Sequence, residues 1–174
     1  MRARILVAAV SGALLVPMGA SATHLDVSDP NDSKGRLDIR EVVTLEKPAR
    51  WRIRSGVRWR VPKIWDKGYF YVFFDTTGDE DYERYAFVRS NGRRLVAGMW
   101  RQRRRRSDVR ESWLRVRRSS PRNLSIRVPS RRLQLPPRRR FYAWETLSQY
   151  LSSRCSGGVC LDRTRRILEP LGEG

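Results

Sequence analysis

The chain has 174 residues, with 37 Lys and Arg against 18 Asp and Glu, for a formal net charge of +19. A charge this large says more about partners and solubility than about fold, because it attracts polyanions and pushes a compact chain apart. One His and two Cys in the whole sequence leave a four-ligand zinc site short of ligands and leave histidine catalysis little to work with.

Residues 1–22 read as a Sec-type signal peptide. Arg2 and Arg4 make the basic start, Ile5 to Val16 is a 12-residue apolar stretch interrupted only by Ser11 and Gly12, and Pro17 precedes Ala20-Ser21-Ala22. An uncleaved helical anchor is the competing reading, but the stretch falls short of the roughly 20 apolar residues a bilayer needs, and no later segment qualifies. No stable membrane span is expected. No cysteine lies near the cleavage site, which argues against a lipid-anchored protein. The expected mature chain is secreted, begins at Thr23 and has 152 residues (174 minus 22) with 35 basic and 18 acidic side chains, a net +17. That is one domain's worth, enough to bury about two-thirds of its unfolded surface.

Residues 23–36 are polar and turn-rich and read as an extended leader, with His24 an ordinary surface residue; residues 37–174 are assigned to one domain. Leu37 to Leu45 has strand composition, and Pro48 closes it. From Trp51 to Val61 the odd positions carry Trp51, Ile53, Val57, Trp59 and Val61, and the even positions are rich in arginine, which in a strand separates an apolar face from a basic one. Gly56 marks a bend in it. Tyr69 to Phe74, YFYVFF, is an aromatic run that only a sheet covered on both faces would want. An acidic turn, Asp75 to Asp81, leads into Tyr82, Tyr85, Phe87 and Val88. Asn91-Gly92 then gives the strongest short hairpin signal. A two-residue turn there sets Val88 opposite Leu95, Phe87 opposite Val96, Ala86 opposite Ala97 and Glu83 opposite Trp100.

Further strands are expected at Val109 to Val116, at Leu124 to Val128 with its alternating Leu124, Ile126 and Val128, and at Phe141 to Leu151, where Trp144, Leu147 and Leu151 would also suit a helix face. Alternation places Trp100, Trp113 and Trp144 inside. The fold class is all-β: a single antiparallel β-sandwich of about eight strands with a small C-terminal disulfide loop. Cys155 and Cys160 flank Ser-Gly-Gly-Val, and in an exported chain such a pair most simply forms a bridge worth about 2 kcal/mol.

Asp29, Pro30, Asp32, Gly35, Leu37, Asp38 and Ile39 in the opening, Phe74-Asp75-Thr76 after the central strand, and an aromatic strand leading to paired cysteines with Asp162 together resemble a recurring group of small secreted bacterial proteins of unassigned function. More distantly the chain is similar to DOMON-like and family-9-like carbohydrate-binding β-sandwiches. The resemblance implies one β-sandwich, sometimes calcium-bearing, without catalytic residues. Related sequences often alternate Asp and Gly after Phe-Asp-Thr, whereas this loop reads Thr-Gly-Asp-Glu-Asp.

Calcium takes six to eight oxygens, and Asp75, Thr77, Asp79 and Asp81 are chemically suitable ligands. The loop fails as an EF-hand, with Glu80 where the tight-turn Gly is needed and Ala86 where the bidentate Glu is needed. The competing reading has these acids solvating a turn and pairing with arginines, and on it no cofactor is expected. Asp29, Asp32 and Asp38 are weighed the same way. No nucleophile and base occur in a recognisable setting, so an enzyme is not expected.

The basic clusters remain. Arg101, Arg103, Arg104, Arg105 and Arg106 follow a strand, Arg115 to Arg118 and Arg131 with Arg132 recur at strand ends, and Arg138, Arg139 and Arg140 form another run. Guanidinium groups fork onto phosphate or sulfate oxygens, and nearby indoles can stack on bases or sugar rings. The expected function is a secreted, non-catalytic binding domain whose Arg-rich surface associates with an anionic polymer or cell-surface component: cell wall, polysaccharide, nucleic acid or lipid surface. The alternative is a carbohydrate-binding or calcium-dependent adhesion module with an aromatic groove.

Overall fold

A computed structural model describes residues 25–30, 37–45, 50–55, 68–91, 93–120, 123–137 and 141–170. The signal-peptide segment 1–22, the bend at Gly56 and the Arg138–Arg140 run lie outside them. The strands are β1 (Leu25–Ser28), β2 (Ile39–Leu45), β3 (Arg50–Ser55), β4 (Gly68–Asp75), β5 (Arg84–Ser90), β6 (Leu95–Arg101), β7 (Val109–Ser120), β8 (Asn123–Arg127), β9 (Phe141–Leu151), β10 (Val159–Arg163) and β11 (Ile167–Pro170), with a single helical turn α1 (Ser130–Leu133) between β8 and β9. The expected strands all form where they fall on described residues, and Phe141–Leu151 is a strand and not a helix. Three short strands are added: β1 from the polar leader, and β10 and β11 after the cysteine loop.

All pairings are antiparallel, in the order β1-β2-β3-β8-β7-β6-β5-β4-β9-β10, with β11 beside β9 on the same edge as β10. β7 joins the two sheets. Its first half, Val109 to Leu114, pairs with β6, and from Arg115 onward it pairs with β8. The strand therefore turns a corner, and the sheets close on one core that includes Ile39 and Val42 of β2, Leu124 and Ile126 of β8, Phe70 and Phe74 of β4, Met99 of β6 and Trp144 of β9. Alternation does this: Phe70, Val72 and Phe74 are fully buried, while Tyr69, Tyr71 and Phe73 face outward, half-buried.

Polar groups stitch the closed end. The Asp162 carboxylate of β10 accepts the Ile39 N–H of β2, tying the two sheets together. Glu169 is buried and accepts both the Tyr142 hydroxyl at 2.8 Å and the Trp144 indole N–H at 2.7 Å. Burial first, and then this carboxylate, hold the Tyr142 phenol above its ordinary range. Gly68 is required by close approach, since a Cβ there would collide with Leu37 Cδ1. Cys155 and Cys160 are bridged with Cα atoms 5.2 Å apart, and Gly157 and Gly158 between them take positive φ of 65° and 75°.

Two expectations are corrected. The β5–β6 hairpin forms, but its register is Ser90 to Leu95, Val88 to Ala97, Phe87 to Gly98 and Tyr85 to Trp100, two residues from the one expected. The turn after Ser90 is longer than expected: Asn91 Oδ1 accepts the N–H groups of Arg93 (3.1 Å) and Arg94 (2.9 Å), and the Asn91 N–H reaches Arg94 O at 3.1 Å. Second, Trp113 and Trp100 are not core residues: Trp113 is 58% exposed and Trp100 is half-buried against Tyr85 on the outer face, while Trp144 is fully buried. Trp113 and Leu114 are neighbours on one strand, so only one can face in, and Leu114 packs against the core.

Candidate anion-binding site

β5 and β6 run between two ends of different character. At one end the turn from β4 to β5 carries the acids. Asp75, fully buried, accepts the N–H of Thr77 (3.1 Å), of Gly78 and of Glu80 (3.3 Å), and its other partner is the Arg166 guanidinium. Glu83 accepts the Thr76 N–H at 2.6 Å and the Thr76 hydroxyl at 2.8 Å, and Thr77 Oγ1 lies 2.6 Å from its other oxygen. These bonds hold Glu80 at φ 72°, in the left-handed region. Hydrogen bonds from the Thr77 hydroxyl and the Asp81 N–H hold the Asp79 carboxyl below its ordinary range.

Of the residues suited to calcium, the fold brings Asp75 and Asp79 together with Glu83, each offering an oxygen within 4.8 Å of the others. Asp81 turns instead to Arg104. The sequence places Glu83 among the acids of this loop but not among the calcium ligands; the closing of the turn, where the Glu83 N–H meets Phe74 O at 3.2 Å, is what brings it to Asp75.

Arg101 and Arg103 to Arg106 are all exposed, as expected, but two of them face carboxylates of the fold. Arg104 pairs with Asp81 and lies 4.0 Å from Asp79, and Arg101 lies 3.6 Å from Glu111. Asp108 caps the loop by accepting the Arg103 N–H at 3.2 Å and the Tyr85 hydroxyl at 2.9 Å. Arg84, at the start of β5, is buried and structural, held by Glu111 at 3.1 Å and by Leu133 O and Gln134 of the α1 segment.

At the other end, beyond the Asn91 turn, lies an open groove of about 910 Å³. Its rim is Arg89, Arg93, Arg94, Arg115 and Arg118, and no carboxylate is among its described lining residues. Leu95, Ala97, Leu114 and Val116 form the floor, with Val96 and Trp113 at its sides. A smaller hollow of about 280 Å³ continues past Trp113 and Arg115 to Arg127, Arg131 and Arg132. The Arg110 guanidinium stacks on the Trp113 ring, 4.4 Å from its centroid. The chain matches no protein-family model, and no curated protein or solved structure is significantly similar to it.

The sequence reading flagged Arg115 to Arg118, Arg131 with Arg132 and Trp113, but missed Arg89, Arg93 and Arg94. These belong to the same site because the hairpin folds β5 and β6 side by side, Arg89 opposite Val96.

Between the two ends, the outer face of the sheet is aromatic. Tyr69, Tyr71 and Phe73 stack in succession at 5.9 and 5.7 Å, and Tyr85 lies nearly parallel to Trp100 at 6.4 Å. Gly98 leaves room for the Phe87 ring, whose Cε1 would sit 2.7 Å from a Cβ there. Burial and the hydrogen bond with Asp108 raise the Tyr85 phenol, and burial and the hydrogen bond with Glu145 do the same for Tyr82.

Proposed function

We propose that this is a secreted, non-catalytic binding domain that associates with anionic polymers or surfaces through arginines. The observation that carries this reading is the groove rimmed by Arg89, Arg93, Arg94, Arg115 and Arg118 with no carboxylate among its described lining residues. Arg89, Arg93, Arg94 and Arg115 on this rim form no ion pair with a described carboxylate, and an oxyanion can accept bidentate hydrogen bonds from such guanidinium groups while offsetting their charge. The expected Arg101 to Arg106 site becomes secondary on this reading, since Arg101 and Arg104 already face carboxylates. The Cys155–Cys160 bridge suits an oxidising compartment, and among the described residues no helix is long and apolar enough to cross a membrane.

The test is binding of the mature chain to teichoic acid, duplex DNA, anionic liposomes and neutral glycans across a salt series. Association with the anionic ligands is expected to weaken steeply with salt, because affinity from neutralised phosphates falls with a log-log slope of about −0.9 per contact on duplex DNA. Salt-independent binding to neutral glycans alone would replace this reading with the second one, a carbohydrate-binding module. That one is favoured by the stacked Tyr69, Tyr71 and Phe73 on the outer face.

A further inference from the structure

The groove exists because β7 changes partner. Ala97 pairs with Leu114, the last such pair along β6 toward its start, and from Arg115 the strand belongs to β8. Leu95 and Val96 therefore keep only their β5 partners, Ser90 and Arg89. The two sheets part at this corner. Leu95, Leu114 and Val116 line the opening and pack directly on the core, so the groove is a way into the apolar interior with an arginine rim around it.

Those two chemistries constrain the occupant. A strongly hydrated polyanion uses the rim and leaves the floor wet, whereas burying apolar surface on Leu95, Leu114 and Val116 gains about 25 cal/mol per Å². The volume of about 910 Å³ is that of a site for one small ligand, which typically measures about 300–1,000 Å³. Trp113, 58% exposed beside the rim, offers an amphipathic ring at the boundary between water and the floor.

We infer that the groove seats a single anionic lipid, with its phosphate on the arginine rim and the first part of an acyl chain on the Leu95–Leu114–Val116 floor. The inference rests on the anion-binding reading and names the ligand class at that site. Charge complementarity selects an anionic head over a zwitterionic one, because a trimethylammonium group would meet only arginines among the charged lining residues.

Three soluble probes at fixed salt test it on the mature chain: dihexanoyl phosphatidylglycerol below its micelle concentration, glycerol 3-phosphate, and dihexanoyl phosphatidylcholine. Phosphatidylglycerol is expected to bind at least about tenfold more tightly than either of the others, since each buried methylene contributes and the rim discriminates charge. The double variant Arg94→Gln, Arg115→Gln is expected to weaken both anionic probes. Val116→Asn, on the floor itself, is expected to remove the advantage of the chain and leave glycerol 3-phosphate unchanged; should that variant fold poorly, Trp113→Ala at the exposed edge serves the same purpose. Equal affinity for phosphatidylglycerol and glycerol 3-phosphate, with both weakened by the arginine variant, would overturn the lipid while leaving the anion site intact. No effect of the arginine variant on any anion would remove the groove as the anion site. Tighter binding of an extended acidic peptide than of the lipid would make the opened β6–β7 edge a strand-docking site instead.

Discussion

The two ends of the β5–β6 hairpin carry arginines in opposite circumstances. At the acidic turn, Arg104 and Arg166 meet Asp81 and Asp75, and the carboxylates that are not paired accept backbone or hydroxyl protons. The charge there is used in shaping the turn. At the groove, Arg89, Arg93, Arg94 and Arg115 form no ion pair with any described carboxylate. A run of arginines in a sequence is thus a poor guide to where a ligand's charge is wanted, because what matters is whether the fold supplies its own counter-charge.

The largest expected difference between the ends is in stability. Asp75→Ala removes a buried carboxylate that holds three backbone N–H groups and Arg166. It should cost about 3 kcal/mol, read as a fall in the urea midpoint at constant slope. Arg94→Gln with Arg115→Gln touches no cap and no buried group, and should stay within about ±0.5 kcal/mol. Equal losses at the two ends would end the distinction.

Salt dependence sharpens it. Replacing Arg93, Arg94 and Arg115 with Gln should make the log-log slope for duplex DNA shallower by up to about 3 units if all three groups make contacts. The same change at Arg101 and Arg104 should alter it by about 1 unit or less, since Glu111, Asp79 and Asp81 already face these groups and repel phosphate. A larger change from the second variant would restore the 101–106 loop as the main contact.

Much of the fold was legible because period-two alternation survives small errors. The hairpin register differs by two residues, and a shift of two leaves every side chain on its own face, so Ala86 and Val88 remain in the core. The turn was misjudged for a local reason: the Asn91 side chain takes two N–H groups and lengthens the loop. Trp113 failed because alternation cannot say which of two adjacent apolar residues faces in. The groove was beyond reach for a tertiary reason. Its rim gathers Arg89 from β5, Arg93 and Arg94 from a turn, and Arg115 and Arg118 from β7, and only the partner change at Leu114 opens the space between them.

An alkaline titration reads the acidic end and the core but not the groove. Tyr82, Tyr85 and Tyr142 all have phenol pKa values raised from 10.0, chiefly by burial and then by carboxylate partners. A raised phenol is neutral in the folded chain when it would already ionise in the unfolded one. Its contribution is therefore complete below about pH 10 and is lost as pH rises above that value. Unfolding midpoints should fall progressively above about pH 10, and Tyr85→Phe should lessen the fall while leaving anion binding at neutral pH unchanged.

The smallest expected effect concerns calcium. Asp75, Asp79 and Glu83 converge within 4.8 Å, so the turn is the one place where the acidic end could behave like a ligand site. Yet Asp75 is occupied by three backbone N–H groups and Arg166, Glu83 by the N–H and hydroxyl of Thr76, and Asp79 by the Asp81 N–H, with the single Thr77 hydroxyl proton shared between Asp79 and Glu83. A cation would have to displace Arg166 or break the hydrogen bonds that shape the loop, so its gain in Coulomb energy is offset by theirs. A ligand that binds only the folded chain must raise its melting temperature by mass action. Thermal unfolding with millimolar calcium and with chelator should therefore give midpoints within about 1 °C, the shift expected for a few tenths of a kcal/mol. A rise of several degrees with calcium, abolished by Asp79→Asn, would show that the acidic end is a ligand site as well, and the contrast between the two ends would reduce to the sign of the ion each one takes.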